Sequence, residues 1–540
     1  MTNSPRPKRP WLATAAVFLA AFLALSFNLW RTGIASGWID PILHYGAMDE
    51  ALYTSEAIYM ASHGAWMTPT LLGRWVFEKP PLLMWLSAVS MKLLGIGPFA
   101  ARLPAVLAGA LLVALCFAIA RAVRSTAAGI AAALLCLCSP LLFAMSRRNM
   151  TDVLLAAVMV TVVAVLIRDP ALARAGSRVV FVVAIAAGVL DKSVAGLLPA
   201  LVALPFAVVM RRSPWRIILL SACAIALASP WFLYNLAVHR EWFLADLGFQ
   251  IVTTGVRAGH QTSSENQVLF YLLRLAYGAP AALLLLVTGV PALLRSLRRL
   301  HAGPLLLVCY LAVVFAALMA FRFRSEQYLT WLIPAVILAA VVSTPLLAGR
   351  RATWLTLALG AILVVEAAVP GRPWSLSWRP GSTIPAAPAL SRYCEERRGN
   401  ELYILGVVDQ FYAATLPLGT VRYGWVDPAD SVADTHPHLE YLGISQSATA
   451  PPDVPRYAER LRAWGMNSTA PIRTGILARN ADELAALVRA HPEADFLVSP
   501  EIARRLGEDR HIVRAATPTF VLLESAEGRP AGPAPRTCRM

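Results

Sequence analysis

Long apolar runs are the first constraint on what this chain can fold into. Residues 11–30, 103–120, 126–146, 153–167 and 217–236 carry few charges or none. As helices, most of them are long enough to cross a hydrocarbon layer of about 30 Å. Of 540 residues, 57% are hydrophobic and 15% charged, a balance outside the range of an ordinary soluble domain. The pattern predicts spans over 11–30, 103–120, 126–146, 150–167, 178–190, 193–210, 216–236, 276–294, 303–321, 328–347 and 353–369, about eleven helices in all. The first run is longer than a signal-peptide core of about 7–15 residues, so it reads as a retained span.

A net charge of +16 would suit a nucleic-acid partner if it were spread evenly. It is not. Residues 372–540 hold 19 Arg and 19 acids, so the whole excess lies in residues 1–371. Topology explains it. With the N-terminus in the cytoplasm, the cytoplasmic segments contain Arg6, Lys8, Arg9, Arg121, Arg124, Arg168, Arg174, Arg178, Arg211, Arg212, Arg216, Arg295, Arg298, Arg299, Arg350 and Arg351, with Asp169 as their one acid. That is the positive-inside pattern; no nucleic-acid partner is expected.

Every other polar cluster then falls on the opposite, extracytoplasmic face. The long first outer loop, 31–102, contains amphipathic stretches at 48–63 and 80–94, suited to a membrane surface. Beyond a Pro-, Ser- and Trp-rich linker at 372–388, the tail 389–540 predicts a helix at 391–398, a strand at 401–408, a helix at 481–491, a strand at 495–498, a helix at 500–506 and a strand at 519–523. Alternation of this kind indicates a small α/β domain. Cys394 and Cys538 lie in this tail, where an oxidising compartment permits a disulfide; the other cysteines sit in apolar runs. The chain shows no repeat, zinc-type spacing or phosphate-binding glycine loop.

The outer face gathers acids and cations. Asp49 and Glu50 open a helix, where the dipole alone would favour them. In the 78–81 run Glu78-Lys79-Pro80-Pro81, Lys79 can snorkel to water or pair with a phosphate. Arg147 and Arg148 precede Thr151 and Asp152, which also suit a helix start. Asp191 and Lys192 stand between apolar runs, where ionisable groups are costly and mark function if they lie at depth. Arg257, His260, Arg322, Arg324 and Tyr328 follow, arginine having the planar fork that matches phosphate oxygens. A lone loop histidine is usually just solvated. Trp231, Trp242 and Trp331 read as interfacial anchors. Together such groups meet the needs of transfer from a lipid phosphate: cations for the leaving phosphate, carboxylates for an oxocarbenium-like sugar, and a base for the acceptor hydroxyl.

Met48-Asp49-Glu50-Ala51-Leu52-Tyr53 followed by Phe77-Glu78-Lys79-Pro80-Pro81 resembles the aminoarabinose lipid A transferases. These belong to the dolichyl-phosphate-mannose protein mannosyltransferase-like superfamily, with the membrane GT-C fold. Arg102-Leu103-Pro104, Asn149-Met150-Thr151-Asp152, Asp191-Lys192-Ser193 and Ser229-Pro230-Trp231 extend the resemblance over roughly 45–335. It implies a polytopic α-helical inner-membrane glycosyltransferase (domain 1–371) with a periplasmic α/β domain, a polyprenyl-phosphate sugar donor, and lipid A or another envelope acceptor. By position, Asp49 and Asp152 match catalytic acids and Lys79 a carrier-phosphate lysine. Glu78 matches an acid that can join a divalent-metal site. Glu50, Arg147, Lys192, Arg257, His260, Arg322 and Tyr328 complete the substrate- and phosphate-binding candidates. Two departures stand out. Gln250-Ile251-Val252 replaces a frequent histidine, and Glu326-Gln327-Tyr328-Leu329 replaces a Lys-Leu-Pro-type run. They bear on the metal and on the donor sugar.

Overall fold

Each of the eleven apolar runs contains a helix in the structure, a computed structural model. It describes residues 10–27, 29, 47–71, 74–240, 243–244, 266–321, 324–368, 387–397, 400–405, 421–426, 475–478, 481–506, 511–518 and 520–526. The helices are α1 (Pro10–Ser26), α2 (Ala47–His63), α3 (Leu82–Leu94), α4 (Pro98–Val123), α5 (Thr126–Cys138), α6 (Pro140–Ser146), α7 (Thr151–Arg168), α8 (Ala175–Lys192), α9 (Leu198–Val209), α10 (Pro214–Val238), α11 (Gln267–Gly278), α12 (Pro280–Arg298), α13 (Ala302–Ala320), α14 (Leu329–Ser343) and α15 (Gly349–Ala368). Among the described residues, seven helical stretches have the length and hydropathy to cross a membrane, or eight with the bent pair α5–α6 counted as one. α4, α7 and α14 are the most enclosed of these, whereas α10 and α12 expose most of their apolar surface.

Two breaks matter for the site. The run 126–146 is bent by 73° between α5 and α6. Proline at 140 has no N–H to continue the ladder, and it pushes Ser139 out of the helical region to φ −76°, ψ 113°. Ser139 then caps α6 through its Oγ. The second break follows Lys192. Ser193 takes φ +50°, and a 3-10 turn (Ser193–Leu197) doubles back on α8. Residues eight apart in a straight helix lie about 12 Å apart. Here a Cβ on Gly196 would sit 2.1 Å from the backbone of Gly188, so only glycine fits.

Cross-helix bonds sort into two ends. At one, Arg124 Nη1 donates to Val341 O (2.8 Å) and Arg216 Nη1 to Ala171 O (2.6 Å). At the other, Ser139 Oγ donates to Gly278 O (2.6 Å), and Gln267 Nε2 donates to Leu318 O and Phe321 O. Arg124 thus ties α4 to the end of α14, and Arg216 ties α10 to the segment after α7. α3 keeps the expected amphipathic character: Leu83, Met84 and Met91 are buried, while Leu86, Val89, Leu93 and Leu94 are exposed. α2 does not, because Ala51 to Ala57 are all buried; it is embedded rather than laid on the surface.

In the tail, α16 (Ala387–Arg397), α17 (Ala481–Ala490) and α18 (Pro500–Arg504) accompany a six-stranded sheet ordered β5-β4-β3-β6-β8-β7. Its strands are β3 (Leu402–Leu405), β4 (Val421–Val426), β5 (Gly475–Ala478), β6 (Asp495–Val498), β7 (Ile512–Ala516) and β8 (Val521–Glu524); β1 (Thr70–Leu71) and β2 (Arg74–Trp75) form a separate small ribbon. β5, β4, β3 and β6 run parallel, and β8 and β7 antiparallel. α17 buries Leu484, Ala485 and Val488 against Tyr403, Phe496 and Val498. Asp495 is its polar hub, fully buried and bonded by Arg397, Tyr393, Asn400 and the Ser525 amide. Cys394 is disulfide-bonded; Cys538 lies outside the described residues. β4, β5 and β7 were not expected from sequence, and the strand expected at 401–408 is described as Leu402–Leu405.

Candidate active site

Asp49 and Glu50 occupy the first turn of α2. Neighbours on a helix point about 100° apart, so they face different company. Glu50 is fully buried and gripped by Arg102 of α4, Nε at 2.6 Å and Nη2 at 3.2 Å. It also accepts the Asn149 amide at 3.1 Å. Asn149 in turn bonds Thr54 of α2 and Ser87 of α3. Glu50, expected among the substrate contacts, instead clamps α2 to α4 and to the 147–150 turn.

Asp49 faces the other way. It is partly exposed, and Gln327 Nε2 donates to its Oδ2 at 3.3 Å. Glu78, Lys79 and Asp152 are all close enough to act on it electrostatically. Burial, and then the Glu78 carboxylate, raise its pKa above the ordinary carboxylate value. Tyr53, one turn on, is buried among the same acids; desolvation first and Asp49 second hold its phenol well above the usual range, so it stays protonated. Lys79 Nζ lies 3.1 Å from Glu78 Oε1, the pair being partly exposed at 16% and 24%.

Asp152, in the first turn of α7, meets Lys192 at the end of α8: Nζ to Oδ1 is 2.6 Å, with both side chains nearly buried. The ammonium lies 4.8 Å from the Trp331 ring centre and 5.1 Å from that of Tyr328. Those rings stack on each other at 4.7 Å. Lys192 is therefore held by a carboxylate and an aromatic roof. Among the described residues, Asp152 Oδ2 has no hydrogen-bond partner, and neither oxygen of the fully buried Asp191 has one. Asp191 is nevertheless within electrostatic range of Lys192, Asp152 and Lys79.

The turn between α6 and α7 carries two buried arginines. Arg147 gives Nη2 to Phe27 O (2.9 Å) and lies over the Phe143 ring, while its Nε and Nη1 find no acceptor among the described residues. Burial, then repulsion from Arg102, lowers its pKa to about 10. Arg148 is lowered to about 10, chiefly by burial, with Glu50 and Glu326 opposing the shift.

Two tryptophans depart from the interfacial expectation. Trp231 is buried, bonds Met67 O, and packs with Phe77 and Phe243, docking the first outer loop onto α10. Trp331 is the roof over Lys192. Arg257, His260, Arg322 and Trp242 lie outside the described residues, and Arg324 stands near the Phe270 ring. Among the described residues no three His, Cys, Asp or Glu side chains converge as a metal site, and Glu78 faces Lys79; no catalytic step is assigned to a metal. Sequence reasoning did not foresee Arg102 as the partner of Glu50, Gln327 as that of Asp49, or Trp331 as a ceiling.

Known proteins share this architecture. Residues 78–234 match the model of the dolichyl-phosphate-mannose-protein mannosyltransferase family. The chain is 28% identical over 346 residues to the undecaprenyl phosphate-alpha-4-amino-4-deoxy-L-arabinose arabinosyl transferase of Pectobacterium carotovorum, covering 60% of each protein. It is 27% identical over 297 residues to the arabinosyl transferase 1 of Sodalis glossinidius, covering 53% of this chain and 52% of that one. These matches thus span between half and two thirds of the relatives' length. Among solved structures, ArnT from Cupriavidus metallidurans bound to undecaprenyl phosphate has a TM-score of 0.70 at 18% identity, over 96% of this chain and 99% of that one. Its apo form gives 0.66, also at 18% identity, over 95% and 98%. The chain has the fold of an aminoarabinose transferase and, over residues 78–234, the sequence signature of the dolichyl-phosphate-mannose-protein mannosyltransferase family.

Proposed function

We propose that this chain is a membrane glycosyltransferase that moves a sugar from a polyprenyl-phosphate carrier to lipid A or another envelope acceptor, at the periplasmic face of the inner membrane. The leading sugar is 4-amino-4-deoxy-L-arabinose, the group named in the relatives it matches. The observation that carries the reading is the meeting of Asp49, Lys79 and Asp152, from three separate segments, at one end of an apolar bundle. Orientation rests on the sixteen basic residues of the other face, and on a disulfide at Cys394, which suits an oxidising compartment.

In the proposed reaction, Lys79 holds the carrier phosphate and stabilises it as it leaves with the electron pair of the broken bond between sugar C1 and phosphate oxygen. The acceptor oxygen forms the new bond to C1, and its proton passes to Asp49. A carboxylate whose pKa is raised toward the working pH is a better base than an ordinary one. Asp152 supports the positive character of the sugar ring in the transition state. Tyr328 and Lys192 position Asp152, and Glu50 positions α2. Arg257, His260 and Arg322 remain proposed contacts to the carrier phosphate.

Mass spectrometry of envelope lipids tests this in cells with wild-type protein, a deletion, Asp49→Asn or Lys79→Ala at equal protein level. Loss of one glycosyl mass from the same lipid in all three mutants is expected. Unchanged glycolipids in the deletion would move the acceptor to a protein or polysaccharide. A change in the deletion alone would refute the assigned site and favour a transporter.

A further inference from the structure

Asp191 carries a charge that the proposed mechanism leaves unused. It is fully buried, and among the described residues neither of its oxygens has a hydrogen-bond partner. Its place in the chain adds to the cost. It stands in the last turn of α8, where the helix dipole opposes a negative charge. The acids around it are met from within the chain. Glu50 is paired with Arg102, Glu78 with Lys79 and Asp152 with Lys192, while Asp49 accepts the Gln327 amide. Asp191 lies within electrostatic range of Lys192, Asp152 and Lys79, but both lysines are engaged by the other carboxylates. A buried charge left without a partner is strongly destabilising. Protonation would remove the charge and still leave one oxygen unbonded. The backbone does not yield easily either, because Ser193 at φ +50° and the close approach of Gly196 to Gly188 fix the turn directly after it.

The missing element is a cation that brings its own N–H donors. Asp152 Oδ2 is open as well, so the two acids offer three free acceptor oxygens near the Tyr328 and Trp331 roof. An ammonium has three donors to match them. A hard divalent metal suits the place less, since it takes about six or more oxygens and no three acids or histidines converge among the described residues. Thr151 Oγ1 and Trp331 Nε1 also lack partners among the described residues, and a hydroxyl-bearing ring satisfies groups of that kind. We propose that Asp191 reads the charge on the donor sugar: it accepts the ammonium of an amino sugar, and so selects an amine over a hydroxyl at the same carbon. This deepens the donor reading above and rests on it. Asp152 serves the reacting carbon of the ring, and Asp191, on the next helix, takes the amine.

Binding to the purified full chain in detergent, read as thermal stabilisation without acceptor, tests this apart from transfer. The probes are undecaprenyl phosphate carrying 4-amino-4-deoxy-L-arabinose, the same carrier with L-arabinopyranose, whose hydroxyl replaces the amine, and undecaprenyl phosphate alone. Wild-type protein is expected to bind the amino donor about tenfold or more tighter than the hydroxyl donor, and to lose that advantage as rising pH neutralises the amine. Asp191→Asn should abolish the preference and its pH dependence, while the hydroxyl donor and the bare carrier keep their affinity within about twofold. Asp191→Glu, which keeps the charge, should restore part of the preference, and Asp191→Ala serves if the asparagine variant does not fold. Lys79→Ala should weaken all three probes and leave the preference in place. Four results overturn the proposal: equal affinity of wild type for the two donors, a preference that survives in Asp191→Asn, equal loss of all three probes in Asp191→Asn, or stabilisation by magnesium chloride alone that Asp191→Asn removes. In each of these the carrier reading stands if Lys79→Ala still weakens the probes. If wild type binds none of them, the donor reading falls and this inference falls with it.

Discussion

Glu50 and Asp191 are both buried carboxylates in the membrane half of one molecule, and their surroundings could hardly differ more. Glu50 has a two-pronged arginine and a backbone amide on its oxygens. Asp191 has no hydrogen bond on either oxygen among the described residues. Asp495, in the tail, repeats the Glu50 pattern with four residues donating to it. The difference separates two uses of a buried charge. A saturated carboxylate fixes architecture, because every lone pair is spent on joining segments. An unsaturated one keeps free energy in reserve for something that is not part of the chain, and Asp191 and Asp152 Oδ2 lie together beside Lys192.

The sharpest way to break this contrast is Arg102→Leu. It strands Glu50 as an uncompensated buried charge, which costs about 3–5 kcal/mol, so folded yield should collapse. Adding Glu50→Leu should restore most of it. A single mutant that melts like wild type would show that Glu50 is not architectural. The next effect is opposite in sign. Asp191→Asn loses no hydrogen bond and sheds a desolvated charge, so the melting temperature should hold or rise while transfer falls, the usual exchange of stability for activity at a site. Lost stability with full activity would place Asp191 with Glu50 instead. The smallest effect is expected from Gln327→Leu. Gln327 donates to Asp49 and opposes the rise in its pKa. Without it the acid is harder to ionise, so the acidic limb of the pH–rate profile should move to higher pH, activity being lost sooner as pH falls. An unmoved limb would remove Asp49 as the titrating base.

The proposed sidedness of the bundle rests on the sequence alone, because positive-inside charge is written locally in each loop. Asp49, Lys79 and Asp152, which the structure brings together, were singled out through motifs that the resemblance supplied. The partners were not. Arg102 lies 52 positions from Glu50 and Gln327 lies 278 from Asp49, separations that no local pattern encodes. The bend at Ser139–Pro140 had a local signal in the proline, yet hydropathy alone ran straight through it. In the tail, β5 and β7 are short, and β7 is largely exposed, so neither has the apolar alternation that marks a strand.

The roof over Lys192 has a bearing on how the protein is made. Lys79, Asp152 and Lys192 all fall inside the 78–234 stretch that carries the family signature, but Asp49 precedes it and Gln327, Tyr328 and Trp331 come much later. During synthesis, a chain halted before residue 326 would already own both lysines and the acids, and still leave Lys192 uncovered and Asp49 without its amide. Gln327, Tyr328 and Trp331, which complete the proposed site, are thus made only after α1 to α13.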